Sequence, residues 1–295
     1  MKCDLHVHSV HSGTITLPVL KHFFLESYSA PQEIYRTLRR RGMDLITLTD
    51  HDSIGGAEEL RGFPNFFLSE EVTCRMPSGT EIHVGVYDLN ERQHVQLGRR
   101  RNDLACLLAY LSEQRLFFTV NHIFSSLTGR RAAEDFVWFA GYFPAVEALN
   151  GHMLPEANRN AAEFARRLEK IPAGGSDAHA LTSAGSAYTE VPGARNKEEF
   201  LAGLRAGYGH LRGESGGYWK LTRDILILCC EMMRKDRWTI LLAPIVSLVP
   251  AAVAINHLIE ASFARRWGAR VNAGTSGPGR ALPPRRKPEV WEVQP

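Results

Sequence analysis

The sequence has few cysteines, little net charge and no apolar run at its start. Its five cysteines, Cys3, Cys74, Cys106, Cys229 and Cys230, are odd in number and widely spaced. This pattern is neither a disulfide framework nor a zinc-binding CxxC motif. The first residues, Met-Lys-Cys-Asp-Leu-His, lack the apolar stretch that is typical of a signal peptide. We therefore expect a reducing, cytoplasmic location.

The charge and composition argue against a long nucleic acid as the partner. The formal net charge is only +3, and the positive excess lies mainly from Glu260 onward. No basic, aromatic-lined stretch typical of nucleic-acid binding occurs in the chain. With 44% hydrophobic and 23% charged residues among 295, the chain can form a large domain with a substantial core.

Short apolar runs alternate with amphipathic stretches along the first two thirds of the chain. The predicted strands cover residues 3–7, 45–49, 66–68, 82–87, 117–120, 145–149 and 172–174. The predicted helices cover residues 32–41, 97–113, 157–170 and 198–207. Pro31 and Gly42 flank the first of these helices, as helix boundaries prefer. Strands that alternate with helices predict a parallel sheet or a barrel.

The segment 238–259 is the most apolar part of the chain. It begins WTILLAPIVSLVPAAVAI, a run of 18 residues without a charge, and about 18 is near the minimum for a membrane span. Basic residues flank it on both sides, so the charges indicate no orientation. Two interpretations stay open, namely membrane association through 238–259 and a helical hairpin docked on the rest of the chain. The stretch 274–295 is rich in Gly, Pro and Arg and is predicted to be disordered.

Histidines and carboxylates accompany nearly every predicted strand. His6 and His8 alternate within the first strand and therefore point to the same face. The others are Asp50, His51, Asp52, Glu70, Glu71, His83, His122, Glu147, Asn150, Asp177 and His179. Parallel strands in a barrel bring their ends to one mouth, where such folds keep their active sites. Mixed imidazole and carboxylate ligands favour zinc, manganese or iron over calcium.

Six motifs in order, DLHVHS, ITLTDHD, SEEVT, EIHVGVY, VNHIF and GGSDAH, resemble the successive motifs of the PHP (polymerase and histidinol phosphatase) family. The resemblance covers roughly residues 1–212. It implies an α/β fold, a distorted seven-stranded (β/α)7 barrel, over residues 1–213. We expect a helical appendage over 214–273 and the disordered tail over 274–295. The resemblance also implies hydrolysis of phosphoester bonds with two or three divalent metal ions.

The resemblance implies three metal positions. The ligands of the first are His6, His8, Glu71 and Asp177, those of the second are Glu71, His83 and His122, and those of the third are His51 and His179. Glu71 is chosen over Glu70 because it directly precedes a Val-Thr pair. His179 and His51 are also the predicted catalytic residues, since either could protonate the leaving oxygen.

One departure from the family pattern concerns the third metal position. This chain reads Ser12-Gly13 where many relatives carry an acidic residue or a histidine. His11 is the alternative ligand, and without it the third metal would be weakly held or absent. Glu147 is interpreted as a group that orients a ligand. Arg130 and Arg131 fit either a phosphate clamp or a solvated pair.

Three functions are compatible with these features. The first is hydrolysis of a small phosphomonoester or phosphodiester, with a small-molecule substrate. The second is a nuclease or a nucleotide-directed phosphodiesterase with the same chemistry. The third is a non-catalytic metal-binding module tethered to a membrane or a partner, which the nearly complete ligand set disfavours.

Overall fold

The computed structural model, which describes residues 1–14 and 24–274, alternates strands and helices along most of its length. The strands are β1 (Lys2–Asp4), β2 (Leu45–Ile46), β3 (Ser69–Arg75), β4 (Glu81–Tyr87), β5 (Phe117–Val120), β6 (Ala145–Asn150), β7 (Ile171–Gly175), β8 (Ala187–Glu190) and β9 (His210–Gly213). The helices are α1 (Pro31–Arg40), α2 (Gly55–Glu58), α3 (Glu91–Arg100), α4 (Leu104–Glu113), α5 (Ala133–Tyr142), α6 (Pro155–Arg167), α7 (Lys197–Arg205), α8 (Tyr218–Lys235), α9 (Ala243–Val246) and α10 (Val249–Gly274). Short 3₁₀ helices cover Val10–Ser12 and Arg237–Leu242.

The strands form a mixed α/β fold with two sheets. One sheet has the order β2-β1-β8-β9, and the other has the order β3-β4-β5-β6-β7. Pairing is parallel at β1–β2, β5–β6 and β6–β7 and antiparallel elsewhere. Isolated bridges join Val7 to Ala178 and His51 to Glu71 across the two sheets. These single bridges bring the ends of β1, β3 and β7 together, although no regular ladder continues across them.

The seven-stranded barrel of the prediction is not found in the described residues, because the sheets are not closed and the strand set differs. β2 has only two residues, so its ladder is short. β3 and β4 form an antiparallel hairpin whose turn uses Gly79 at φ +84°, a conformation that favours glycine. The strands β8 and β9 were not predicted, since each has only four residues.

Two predicted boundaries shift for local reasons. The strand predicted at 66–68 begins later, as β3. Glu70 and Glu71 were expected to follow the strand, but they are buried within it. The helix predicted at 97–113 divides into α3 and α4. Asp103 accepts a hydrogen bond from the backbone N–H of Cys106 at 3.1 Å and thereby caps the second helix.

The helices cover the sheets with regularly spaced apolar residues. In α4, the buried residues are Leu104, Leu107, Leu108 and Leu111, a spacing that places them on one helical face. Phe139 of α5 and Val120 of β5 belong to the same core. Because such residues are fully enclosed, replacing one leucine with alanine would cost about 2–5 kcal/mol of stability.

The segment after residue 213 is largely helical and docks partly on the rest of the chain. The second half of α10 packs inward through Phe263 and Trp267, and the Trp267 ring lies 5.3 Å from that of Phe136. Glu260 accepts a hydrogen bond from the Ser126 backbone N–H at 3.1 Å. This half agrees with the docked interpretation.

The apolar segment 238–259 itself remains largely exposed. Leu241 is 78% exposed and Leu258 is 69% exposed. Within the described residues, no single helix is long and apolar enough to cross a membrane. The pair Arg237–Val246 and Val249–Ala273, bent by 61° at its junction, meets the length and composition criteria together. The predicted tail, 274–295, falls almost wholly outside the described residues.

Candidate metal centre

The end of β1 and the residues after it position the first two histidines. Asp4 accepts backbone hydrogen bonds from Ser176 (2.8 Å), Gly185 (2.7 Å) and His6 (3.2 Å). This buried carboxylate ties the end of β1 to the end of β7, which leads into Asp177. His6 and His8 are each 1% exposed.

Two of the predicted ligands are among the six described residues other than glycine that have positive φ. His122 has φ +32° and Asp177 has φ +55°, a region that residues other than glycine adopt at a cost. Such strain is tolerated where surrounding contacts fix the backbone, and it is common at functional sites.

Three groups of side chains bring metal-ligating atoms within 4.8 Å of one another. They are His6, His8 and Asp177; His8, His51 and Glu71; and Glu71, His83 and His122. Glu71 connects these groups. Its Oε2 lies 3.1 Å from His6 Nε2, and its Oε1 lies 3.4 Å from His122 Nε2. The predicted first and second positions are thus adjacent and share a carboxylate.

The predicted third position is arranged differently. His179 reaches the cluster, with Nε2 3.5 Å from Asp177 Oδ1. However, the His8 ring stacks between His51 and His179, with ring centroids 4.6 and 4.4 Å away. His51 is therefore grouped with His8 and Glu71, and no close group among the described residues pairs His51 with His179.

Burial and charge set opposite protonation states within the cluster. Burial would raise the pKa of Glu71, but the attraction of His6 and His83 outweighs it and holds that pKa well below the usual value. Burial and the charge of His179 lower the pKa of His8 to about 3. The ionised Glu71 and the neutral His8 are in the state that metal binding needs. The neighbouring carboxylates raise the pKa values of His6, His83 and His179 against their burial, so binding a cation at these rings would displace protons.

A site that binds cations should contain buried ring nitrogens that have no hydrogen-bond partner in the protein. Five of them have no hydrogen-bond partner within residues 1–14 and 24–274: His8 Nε2, His51 Nδ1, His83 Nδ1, His122 Nδ1 and His179 Nδ1. His8 Nε2, His51 Nδ1 and His83 Nδ1 face the Glu71 carboxylate at 3.4, 3.3 and 3.6 Å. A buried polar atom without a partner costs about 1–3 kcal/mol, so these three are unfavourable together unless cations complete them. The donor set therefore suits divalent metal ions such as zinc, manganese or iron.

Neighbouring polar side chains orient the ligands. Glu147 Oε1 lies 2.6 Å from His6 Nδ1, and its Oε2 accepts the His122 backbone N–H at 3.0 Å. Asn150 donates to both Glu147 and Asp177 at 3.0 Å. This agrees with the interpretation of Glu147 as an orienting group, because a carboxylate on the second nitrogen fixes the direction of a ligating imidazole.

Asn121 was not singled out in the sequence. It donates to Glu71 Oε1 at 2.8 Å and so helps to hold the shared carboxylate. Its position directly before His122, within the VNHIF motif, is the signal that would have identified it.

Glu26 is the second functional residue that sequence reasoning missed. Its Oε2 lies 3.3 Å from His51 Nε2 and has no hydrogen-bond partner within the described residues. Burial raises the pKa of Glu26 to about 7, against the attraction of His179. Glu26 lies far from the motifs in the chain, but it is the first acidic residue after Gly13.

Other polar residues are occupied elsewhere. His11 lies outside the cluster, where its Nε2 is 2.8 Å from Glu59 Oε1, so it does not replace the missing ligand. Glu70 faces away from Glu71 and pairs with His94 at 2.7 Å. Arg131 is buried and donates to the Glu81 carbonyl at 2.8 Å, so it is neither a phosphate clamp nor solvated.

Comparison with known proteins supports this picture. Residues 155–208 match a family model described as PHP-associated. A protein of Methanocaldococcus jannaschii, itself uncharacterized, is 33% identical over 82 residues, which are 28% of this chain and 44% of that protein. The chain thus spans less than half of this curated relative.

One solved structure supports the fold. The crystal structure of PsfC from Pseudomonas syringae PB-5123 aligns with a TM-score of 0.53 at 16% identity, covering 79% of this chain and 98% of that one. A candidate metal-dependent phosphoesterase from Bifidobacterium adolescentis aligns with a TM-score of 0.48 at 14% identity, covering 70% and 96%. The PHP-associated match, in a chain with the ordered motifs, confirms the resemblance to the PHP family.

Proposed function

We propose that this chain is a metal-dependent phosphoesterase that hydrolyses a phosphomonoester or a small phosphodiester. The observation that supports it is the convergence of histidines and carboxylates from motifs more than 100 residues apart. Eight predicted ligands and Glu26 occupy one buried cluster. A packed core has no need for so many ionisable groups, because each costs desolvation energy unless it is paired.

The cluster offers positions for two or three cations. His6, His8, Asp177 and Glu71 would hold the first, and Glu71, His83 and His122 would hold the second. The third would lie beside Glu26, whose carboxylate is 3.3 Å from His51 and stands in for the acidic residue that is absent at Gly13. His51 and His179 lie on opposite sides of the His8 ring and form no close pair by themselves within the described residues. The contact between Glu26 and His51 supports this third assignment.

The charge of the site explains why cations are required for an anionic substrate. Glu26, Glu71, Glu147 and Asp177 all face the cluster, and a phosphate group would be repelled by ionised carboxylates at short range. When bound, divalent cations hold phosphoryl oxygens and make water a better nucleophile near neutral pH. The chain itself supplies rigid imidazoles, held by Glu147 and by the amides of Asn121 and Asn150.

Chelation followed by metal replacement tests the proposal. The chain is stripped of metal, the loss is confirmed by elemental analysis, and hydrolysis of p-nitrophenyl phosphate and bis-p-nitrophenyl phosphate is measured. We expect no turnover without metal and recovery with manganese or zinc. Glu71→Gln should lower turnover by orders of magnitude, whereas the adjacent Glu70→Gln should retain it. Full turnover in the stripped chain would contradict the proposal.

The same substrate panel distinguishes the alternatives. Cleavage of a single-stranded oligonucleotide in preference to the small esters would favour a nuclease. Metal binding without hydrolysis of any ester would favour the non-catalytic module.

We also propose that the apolar segment 238–259 contacts an anionic membrane surface. Ile240, Leu241, Ile245 and Leu248 are each at least 60% exposed, which is unusual for a contiguous set of large apolar residues. Arg234, Lys235, Arg237, Arg265 and Arg266 flank the segment and are exposed. Apolar residues flanked by basic side chains bind interfaces through burial and attraction to anionic lipid.

Vesicle flotation tests this contact. The chain should float with vesicles that contain phosphatidylserine and much less with purely phosphatidylcholine vesicles. Leu241→Glu combined with Leu258→Glu should abolish flotation, whereas Val95→Glu, at a residue of α3 that is 47% exposed, should not. Equal flotation of both variants would refute the contact.

A further inference from the structure

His152 lies immediately outside the metal cluster, on the chain that follows β6. Its ring is nearly parallel to that of His179, with centroids 6.1 Å and planes 10° apart. His179 stacks in turn on His8 at 4.4 Å. The three imidazoles form a column that leads from the predicted ligands toward helix α8.

Asp224 of α8 holds the outer end of this column. Its Oδ2 lies 3.1 Å from His152 Nε2, and its side chain is 2% exposed. The carboxylate also accepts hydrogen bonds from Thr182 at 2.8 Å and from Ser183. Arg223 contacts the same carboxylate at 3.1 Å. Asp224 is thus fixed in place, and it fixes the orientation of the His152 ring.

His152 keeps a free ring nitrogen and, unlike the histidines of the cluster, is not one of the predicted metal ligands. Because Nε2 faces the carboxylate, Nδ1 is the nitrogen that can exchange a proton. Nδ1 has no hydrogen-bond partner in the part of the chain that the structure describes, and His152 belongs to none of the close ligand groups. A ring nitrogen that binds a cation cannot also carry a proton, so His51 and His179 cannot fill both predicted roles at one nitrogen.

We propose that His152 is the general acid of the reaction and that Asp224 is its positioning residue; this rests on the proposed phosphoesterase function. The oxygen of a water molecule forms a bond to phosphorus while the bond from phosphorus to the leaving oxygen breaks. The Nδ1 proton of the His152 imidazolium moves to the leaving oxygen, which departs as an alcohol. The proton lost by the water goes to solvent, and His152 regains a proton from solvent.

This assignment gives the C-terminal appendage a role in the chemistry. Asp224 belongs to α8, beyond the region that the PHP motifs cover. Its carboxylate orients the His152 ring in the way that a buried aspartate orients a catalytic histidine in other hydrolases. Without α8, the site would keep all its predicted metal ligands. His152 would lose the carboxylate that orients it.

The dependence of the rate on the leaving group tests the proposal. An alkyl phosphate needs a proton on its leaving oxygen, whereas p-nitrophenolate departs readily without one. In the metal-loaded full chain, His152→Gln and Asp224→Asn should lower kcat/KM for the alkyl ester by about 10²–10⁴-fold and for p-nitrophenyl phosphate by less than about tenfold. Free imidazole should restore part of the alkyl ester turnover in His152→Gly. His94→Gln, which removes another carboxylate-bound histidine, should change neither rate.

The outcomes separate this inference from the proposed function. If the wild-type chain hydrolyses neither ester with metal bound, the proposed function fails and the inference falls with it. If the wild type hydrolyses both and the His152 variant loses both equally, or neither, only the inference is overturned. Metal content, measured in every variant, should equal that of the wild type, because a loss of bound metal would make His152 a structural support and overturn its role as an acid.

Discussion

The hydrogen bond between Glu147 and His6 allows a quantitative test of how the site is organised. Glu147 Oε1 lies 2.6 Å from His6 Nδ1, and both side chains are at least 96% buried, with 1% and 4% exposed. His6 Nδ1–H donates to Glu147, which directs Nε2 toward Glu71 and Asp177. Replacing Glu147 with glutamine keeps the shape of the side chain and removes its charge.

The expected loss follows from these contacts. A hydrogen bond to a charged group is worth about 1.5–3 kcal/mol and one between neutral groups about 0.5–1.5 kcal/mol, so the charge contributes about 1 kcal/mol. If the glutamine oxygen stays on His6, its NH₂ group faces the N–H of His122 and the amide of Asn150, and those acceptor contacts are lost. The lost charge and the lost acceptor contacts together agree with the roughly 10- to 100-fold loss of metal affinity that is typical when an orienting group is removed. That loss corresponds to about 1.4–2.7 kcal/mol of binding free energy.

Metal affinity, measured by competition with a chromophoric chelator, provides the assay. The matched control is Glu70→Gln, which removes a carboxylate that pairs with His94 Nδ1 at 2.7 Å outside the cluster. We expect Glu147→Gln to weaken metal binding by about 10- to 100-fold and the control to leave it unchanged. A folded Glu147→Gln chain with wild-type affinity would refute the reasoning.

Three further predictions concern metal and stability. Metal at 1,000 times its Kd should stabilise the fold by about 4 kcal/mol, measured as a rise in the denaturant midpoint; no shift on chelation would contradict this. Glu26→Gln should lower the metal content by one ion per chain, whereas His11→Gln should not; equal content would remove Glu26 from the site. Burial favours the neutral form of Asp224, but hydrogen bonds from His152 and Ser183 prevail and hold its pKa well below the usual value. The ionised Asp224 therefore raises the free energy of unfolding above its unfolded pKa of about 4. This contribution is lost as pH falls through the folded pKa. Asp224→Asn should therefore cost about 1–3 kcal/mol at pH 7 and progressively less in acid, by denaturant titration; a constant difference would contradict the assignment.

The sequence predicted which side chains the fold brings together better than it predicted the architecture around them. His6, His8, His83 and Asp177 lie in short motifs where the alternation of a strand, or its end, places the side chain. Those local rules act over two or three residues, so they remain valid even where strand boundaries shift. The PHP resemblance supplied the order of the motifs.

The parts that could not be predicted depend on contacts between distant segments. Nothing in the sequence near Glu26 indicates that its carboxylate reaches His51, since the two lie 25 positions apart and no motif occurs between Glu26 and the start of ITLTDHD at Ile46. The separation of His51 from His179 depends on where the His8 ring stacks. Asp224 was missed for the same reason, because its partner His152 comes from a different element.

The two open sheets also arise from pairing that periodicity does not encode. Alternating apolar residues in β3 and β4 fit a parallel or an antiparallel neighbour equally well. The direction is decided by the tight turn at Gly79. The four-residue strands β8 and β9 have too few residues for a periodic signal.

The central claim is that these distant side chains bind cations together, and anomalous diffraction tests it most directly. Crystals of the manganese- or zinc-loaded chain, measured at the absorption edge of the metal, should show separate peaks. One is expected among His6, His8 and Asp177 and another among Glu71, His83 and His122, at ligand distances of about 2.0–2.3 Å. A metal-saturated crystal with no anomalous peak in this cluster would contradict the account.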